Sequence, residues 1–266
     1  MRFSNLHTHS TFSDGKNTPA EIAEAAAQRN FLSIGFSDHS DTPCDQSYCM
    51  KQKDYPAYFR TVRELKKQWD GRMDVLLGLE LDYYSDIDRE PFDYIIASVH
   101  YICKDQDCYP IDHSLRQQQD CIARLCGGSR LEMAKRYYDL LLRHVAASQP
   151  DIVGHFDVIT KFGLYDDADP AYEDLALQTL DEVLKICPRV EMNTGAIARG
   201  VRTAPYPAPF LLQRILERGG KILLSSDSHA ADTLDCYFPE SVDLLRRVGF
   251  RDMLILDRNG FREILL

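Results

Sequence analysis

The run Phe3-Ser4-Asn5-Leu6-His7-Thr8-His9-Ser10-Thr11-Phe12-Ser13-Asp14-Gly15 decides how the rest of the chain is read. Its short apolar lead-in predicts a β-strand. On a strand, residues i and i+2 point to the same face with Cα atoms roughly 6.5–7 Å apart. His7 and His9 so placed would converge on one cation, and imidazole suits Zn, Fe, Mn or Ni. A single His-x-His is a weak signal; its weight comes from the remaining chain, which repeats the arrangement strand after strand.

Outward from this run, Thr18-Pro19-Ala20-Glu21 reads as a capping box with Pro at the first helical position, opening a helix to about residue 29. The apolar run 31–36 ends in Ser37-Asp38-His39, and a polar loop leads to a helix at 55–68. Run 74–79 ends in Glu80 and run 94–99 in His100. Residues 100–128 read as a long Cys- and Gln-containing loop, of the kind that serves as a functional excursion. Ser129-Arg130-Leu131-Glu132 reads as a second capping box, opening a helix to about 147. Run 152–154 ends in His155, a helix runs from Asp169-Pro170 to about 186, and run 189–192 ends in Asn193. A helix at 209–218 stops at Gly219-Gly220, and run 221–226 ends in Asp227-Ser228-His229. A helix at 239–248 and a short apolar run at 253–256 follow.

Seven apolar runs alternating with helices indicate an α/β fold with a parallel sheet covered on its faces. Closing seven strands into a TIM-like (β/α)7 barrel would bring their C-terminal ends to one mouth, where such folds place their sites. Without a repeat, low-complexity tract or linker, residues 1–266 are expected to form a single domain. Six of the eight histidines fall at these strand ends. His144, late in a helix, reads as solvent-exposed or in contact with the helix dipole. His113 reads as a loop residue outside the site. Any one strand-end His could be a hydrogen-bonded core residue, Glu80 half of an ion pair and Asp227 a helix cap. As a set these readings need several independent coincidences at equivalent positions.

The formal charge of −10 argues against a broad basic face for nucleic acid, while leaving a small anionic substrate open, since bound metals dominate the field inside a site. No apolar run is long enough to span a bilayer and none resembles a secretory leader, so the expectation is a cytoplasmic protein with no membrane partner. Six of the eight cysteines form C-x4-C pairs, Cys44/Cys49, Cys103/Cys108 and Cys121/Cys126. In a reducing cytosol these read as free thiols, and the spacing misses that of structural zinc sites.

The motifs His7-Thr8-His9, Ser37-Asp38-His39, Glu80, Ser98-Val99-His100, Gly154-His155 and Ser226-Asp227-Ser228-His229 occur together and in this order. In this the chain resembles the polymerase-and-histidinol-phosphatase (PHP) superfamily of metal-dependent phosphoesterases over essentially its whole length. Glu191-Met192-Asn193-Thr194-Gly195, Arg199, Arg202, Pro205-Tyr206-Pro207 and Gly154-His155-Phe156-Asp157 are similar to its monofunctional histidinol-phosphatase branch. The resemblance implies a distorted seven-stranded barrel with two to three divalent metals (Zn, Mn or Fe). It implies one metal on His7, His9, Glu80 and Asp227. A second would take Glu80, His100 and His155, sharing Glu80, and a third would take Asp14, His39 and His229. Some relatives carry His where this chain has Asp14, which bears on metal preference there.

The expected activity is hydrolysis of a small phosphomonoester, L-histidinol phosphate, with Glu80, Asp227 and Asp38 as catalytic candidates. Asp38 would either orient His39 or protonate the leaving group. Arg199 is the candidate phosphate clamp, Arg202 its substitute, and Asn193 a further substrate contact. Asp38, Asp41, Asp45 and Asp82 are candidates to receive the cationic end of the substrate. The competing readings are a nucleotide phosphoesterase or exonuclease of the same superfamily, and a metal-binding domain without turnover.

Overall fold

The computed structural model describes residues 2–165 and 169–266. In chain order it runs β1 (Ser4–Asn5), α1 (Pro19–Gln28), β2 (Ser33–Phe36), α2 (Tyr55–Gln68), β3 (Asp74–Asp82), β4 (Tyr94–Ser98), β5 (Tyr101–Lys104) and β6 (Asp107–Pro110). It continues with α3 (Leu115–Leu125), α4 (Arg130–Ser148), β7 (Ile152–Val153), α5 (Pro170–Ile186), β8 (Arg189–Asn193), α6 (Gly195–Ala198) and α7 (Pro209–Glu217). The last elements are β9 (Lys221–Ser225), α8 (Phe238–Val248), β10 (Asp252–Asp257) and β11 (Gly260–Leu265).

The helix starts follow their local chemistry. Thr18 and Glu21 make the reciprocal capping box on α1. At α4 only the Ser129 half of the expected box forms, its hydroxyl accepting the Glu132 N–H. Asp169 caps α5 ahead of Pro170.

The main sheet has nine strands rather than the expected seven, in the order β1-β2-β3-β4-β7-β8-β9-β10-β11. Every neighbouring pair is parallel except β10 with β11. The apolar run 253–256 is strand β10; β11, half-exposed and charged, gives no strand signal of its own. The sheet curls so that Thr8, past β1, makes a parallel bridge to Ser228, past β9. The expected loop between His100 and Gly128 is instead a second, two-stranded sheet, β5 with β6, followed by α3 capped by Ser114.

The core has two parts. The larger lies between the sheet and the helices. The smaller joins Leu6, Leu76, Tyr94, Ile96, Ile152 and Leu223 from strands all along the curl. Tyr94 crosses this space and donates its hydroxyl to the Leu6 carbonyl. Gly35 and Gly78 make room for it: a Cβ at either position would lie 2.1 or 2.2 Å from the phenol. On β3, Leu76, Gly78 and Glu80 share one face by the period of two, so the packed floor and Glu80 belong to the same side of the strand.

Candidate metal centre and its mouth

Parallel strands end on one edge of a sheet, and here the nine predicted donors meet there. Glu80 is the hub. Its Oε2 lies 2.7 Å from His39 Nδ1, 3.3 Å from His7 Nε2 and 3.6 Å from His9 Nε2, and its Oε1 lies 2.9 Å from His155 Nε2 and 3.3 Å from His100 Nε2. Asp227 Oδ1 is 3.3 Å from His9 Nε2 and 3.9 Å from His7 Nε2. Asp14 Oδ1 is 3.3 Å from His229 Nε2 and 3.7 Å from His39 Nε2. Asp227 holds a left-handed backbone (φ 46°), uncommon for a residue with a side chain and a mark of functional sites.

Around this set a further layer fixes the rings. Glu191 Oε2 lies 2.9 Å from His7 Nδ1, while its Oε1 accepts the His155 backbone N–H at 2.7 Å. Asp82 Oδ2 accepts the His100 backbone N–H at 3.1 Å and lies 3.2 Å from His100 Nδ1. A carboxylate on the far nitrogen of a ring sets its tautomer and aim. In the sequence Glu191 stands only within a motif and Asp82 only among the carboxylates offered to the substrate. Their strand-face alignment with Asn193 and Glu80 was the available signal.

The electrostatics follow from crowding. Burial alone would lower the pKa of His7, but Glu191, Glu80 and Asp227 hold it well above the ordinary value; burial and Glu80 act likewise on His100. Burial opposes the ionised forms of Glu80 and Asp227, yet the imidazoles, and Arg199 for Asp227, keep both pKa values well below the usual range. Burial and the neighbouring His39 and His229 push His9 the other way, well below its ordinary value. Among the described residues, His7 Nε2, both ring nitrogens of His9 and His155 Nδ1 are buried without a hydrogen-bond partner. Such orphaned donor atoms call for a partner, and a cation supplies one. Groups His7/His9/Glu80, His39/Glu80/His100 and His9/Asp14/His39/His229 each place ligand atoms within 4.8 Å of one another. The residues fit divalent metal ions.

The remaining site candidates divide. Arg199 reaches the mouth, donating to Asp227 Oδ2 at 3.0 Å and to the Asp227 carbonyl at 3.1 Å. Arg202 does not line it: its guanidinium is held by the Thr160 hydroxyl and carbonyl and lies over the Tyr206 ring. Asn193 is wholly buried, bridging Glu191 Oε1 and the Gly195 N–H. Asp38 is also wholly buried, with burial raising its pKa against the opposing contacts from Ser13 and Ser10. Its carboxylate accepts the backbone N–H and hydroxyl of both Ser10 and Ser13. It therefore braces the loop that presents Asp14, and it is not among the residues lining the mouth. Asp41 is turned to Gln46 and Gln52. His144, expected at the surface, is buried and its ring lies 2.8 Å from the Leu81 carbonyl.

Above the donors lies a cavity of about 410 Å³. Its outer wall contains Asp45, Tyr48, Tyr101, Asp112 and Lys161. Asp112 and Lys161 pair at 3.3 Å; burial resists ionisation, but Lys161 and the site histidines hold Asp112 at about 2. Neither residue carries a sequence signal, since both lie between the apolar runs and helices the sequence marks. No helix among the described residues is long and apolar enough to cross a membrane.

The PHP domain family matches residues 5–195. A probable histidinol-phosphatase from Deinococcus radiodurans is 31% identical over 269 residues, spanning 96% of each chain. A histidinol-phosphatase from Bacillus subtilis is 24% identical over 250 residues, covering 85% of this chain and 92% of its own length. The crystal structure of histidinol phosphate phosphatase from Lactococcus lactis complexed with Zn, L-histidinol and phosphate superposes with a TM-score of 0.76. It is 21% identical and covers 98% of this chain and 99% of its own.

Proposed function

The chain belongs to the PHP domain family, and on that premise we propose that it is a metal-dependent phosphatase hydrolysing L-histidinol phosphate to L-histidinol and phosphate. The observation that carries this reading is the meeting of nine donors on one sheet edge beneath an acid-lined cavity with Arg199 at its rim. We take residues 1–266 as one domain acting in the cytoplasm on a small phosphorylated substrate.

His7, His9, Glu80 and Asp227 would hold one metal, Glu80, His100 and His155 a second, and Asp14, His39 and His229 a third. Bound divalent cations supply charge neutralisation on phosphoryl oxygens and acidify water. Glu191 and Asp82 keep the rings of His7 and His100 aimed inward. Arg199 presents a planar pair of donors suited to a phosphate, and Lys161, which also lines the cavity, adds a point charge. Asp45, its carboxylate kept ionised by the Ser47 hydroxyl and N–H, and Asp112 offer negative charge to the substrate's ammonium and imidazole. Asp38 acts through the Ser10–Gly15 loop by positioning Asp14.

The test is phosphate release from L-histidinol phosphate, nucleoside monophosphates and short single-stranded DNA by protein loaded with Mn, Zn or Fe, with His7→Ala as control. Selective, metal-dependent turnover of histidinol phosphate is expected. Preferential turnover of nucleotides or DNA would overturn the substrate, and no turnover of any phosphoester would overturn the enzyme.

A further inference from the structure

Outside the metal centre, three sulfurs from two segments of the chain come together. Cys103 and Cys108 face each other across the β5–β6 hairpin and form a disulfide. This corrects the expectation that all the C-x4-C thiols are free. Cys44, 59 residues earlier in sequence, places its Sγ 3.6 Å from Cys103 Sγ. All three residues are partly exposed, so small reagents reach them. Cys44 is a free thiol. A third sulfur in van der Waals contact with a disulfide is the starting arrangement for thiol–disulfide exchange, in which a thiolate attacks one sulfur and the other leaves.

We infer that Cys44, Cys103 and Cys108 form a redox-active site in which the cross-link moves from Cys103–Cys108 to Cys44–Cys103. The Cys44 thiolate bonds to Cys103 Sγ, and the Cys103–Cys108 bond breaks with its electron pair leaving on Cys108. Cys108 then takes up a proton equivalent to the one Cys44 gave up. The exchange is redox-neutral and needs no further reagent. Two equivalents of a low-molecular-weight thiol reduce either cross-linked form to three thiols and are themselves oxidised to a disulfide. In a reducing compartment, disulfides that serve as sensors are the transient, exchangeable kind, and a neighbouring thiol is what makes one exchangeable.

The consequence is positional. Before exchange the cross-link staples a single hairpin. After it, the bond ties the loop at 41–51, which carries Asp45, Ser47 and Tyr48 to the mouth, to the hairpin that carries Tyr101 and Pro110 there. Two walls of one cavity become covalently joined. Tyr48 and Tyr101 are already stacked with ring centroids 6.4 Å apart, so the two walls are in register for such a tie. Burial pushes the Cys44 thiol up to about 11. The attacking thiolate is therefore a small fraction at neutral pH, and exchange speeds up about tenfold per pH unit there.

A disulfide map of the full chain tests this, because the three sulfurs fall on three tryptic peptides, residues 30–51, 90–104 and 105–116. The protein is equilibrated across ratios of reduced to oxidised glutathione at pH 7.0 and 8.5, then quenched in acid with N-ethylmaleimide. Fragment ions separate Cys44 from Cys49 on the shared peptide. The expected result is a Cys44–Cys103 link with alkylated Cys108 in at least about one tenth of molecules, forming faster at pH 8.5. It is absent in Cys44→Ser, which keeps only Cys103–Cys108. Complete alkylation of Cys44 at every ratio, or alkylation of all three sulfurs at the oxidising limit, overturns the proposal. Cys108→Ser, oxidised to trap the Cys44–Cys103 link, should change KM for histidinol phosphate by about threefold or more relative to its reduced form. An unchanged KM overturns the coupling to the mouth. That kinetic arm rests on the phosphatase reading, whereas the peptide map does not, so the two fail separately.

Discussion

The Glu191 carboxylate lies 2.9 Å from Nδ1 of His7, and both side chains are wholly sealed from solvent. One residue on β8 thereby fixes the ring of His7, which follows β1 and is brought close by the curl, and its second oxygen holds the backbone of His155. Glu191→Gln keeps the shape and loses the charge. It should weaken metal binding by about 10–100-fold with the fold intact. Chelator competition and metal analysis read the loss; an unchanged affinity would make Glu191 a packing residue only.

Gly195 leaves the space that Asp227 and Arg199 occupy. A Cβ there would sit 2.9 Å from Asp227 Cβ, Asp227 Oδ2 and Arg199 Nη2. Gly195→Ala should therefore cost roughly 1–3 kcal/mol of stability and lower activity together. Thermal unfolding and turnover of the same preparation check both, and a variant with wild-type turnover would show that the pair can shift harmlessly.

Asp38 separates two roles that the sequence left open. As the anchor for Ser10 and Ser13, its replacement by Ala strands the Ser10 N–H and two hydroxyls, while the Ser13 N–H keeps the Ser10 carbonyl, costing about 2–4 kcal/mol. Asp38→Asn, which keeps an acceptor, should retain the pH–rate profile of the wild type. Loss of one limb of that profile in the Asn variant would restore Asp38 as a proton donor.

Arg199 carries its charge at the cavity rim. Burial opposes that charge, but Asp227 keeps the guanidinium protonated. Arg199→Ala should raise KM by about tenfold or more, with Arg199→Lys falling between, because an ammonium cannot make the paired contact. Equal KM values for all three proteins would remove Arg199 from substrate binding.

Burial lowers the pKa of His144 against the contact with the Leu81 carbonyl. The folded chain therefore binds fewer protons at this position than the unfolded chain, whose value is about 6.5. The contribution of His144 to stability is whole above that pH and is lost as pH falls below it, by at most about 1.4 kcal/mol per unit. Urea titrations of metal-free protein at pH 7.5 and 5.5 should show a smaller acid loss for His144→Asn than for the wild type.

The repeated ending of apolar runs in His, Glu or Asp made the donor set readable, because strand period and strand direction are local properties. His7, His9, His39, Glu80, His100, His155, Asp227 and His229 follow from those strand ends, Asp14 follows only from the family resemblance, and the structure brings all nine together. The capping box on α1 and the proline at the start of α5 are equally local.

What lay beyond the sequence depends on which surfaces meet. Asp38 and Asn193 look like site residues from their positions. Only the packed structure shows their polar atoms turned inward, to Ser10 and Ser13 and to Glu191 and Gly195. The hairpin at 101–110 carries no strand signal because four-residue strands have too short an alternation to register, and β11 carries none because an edge strand half open to solvent needs no apolar face. Asp112, Lys161 and the approach of Cys44 to Cys103 join segments far apart in the chain. The sequence alone determined the candidate donors at the strand ends and the alternation of the main strands with their helices, since each is written within a few consecutive residues. The curl of the sheet decided what surrounds them, because contacts between distant residues are fixed only when the whole chain has packed.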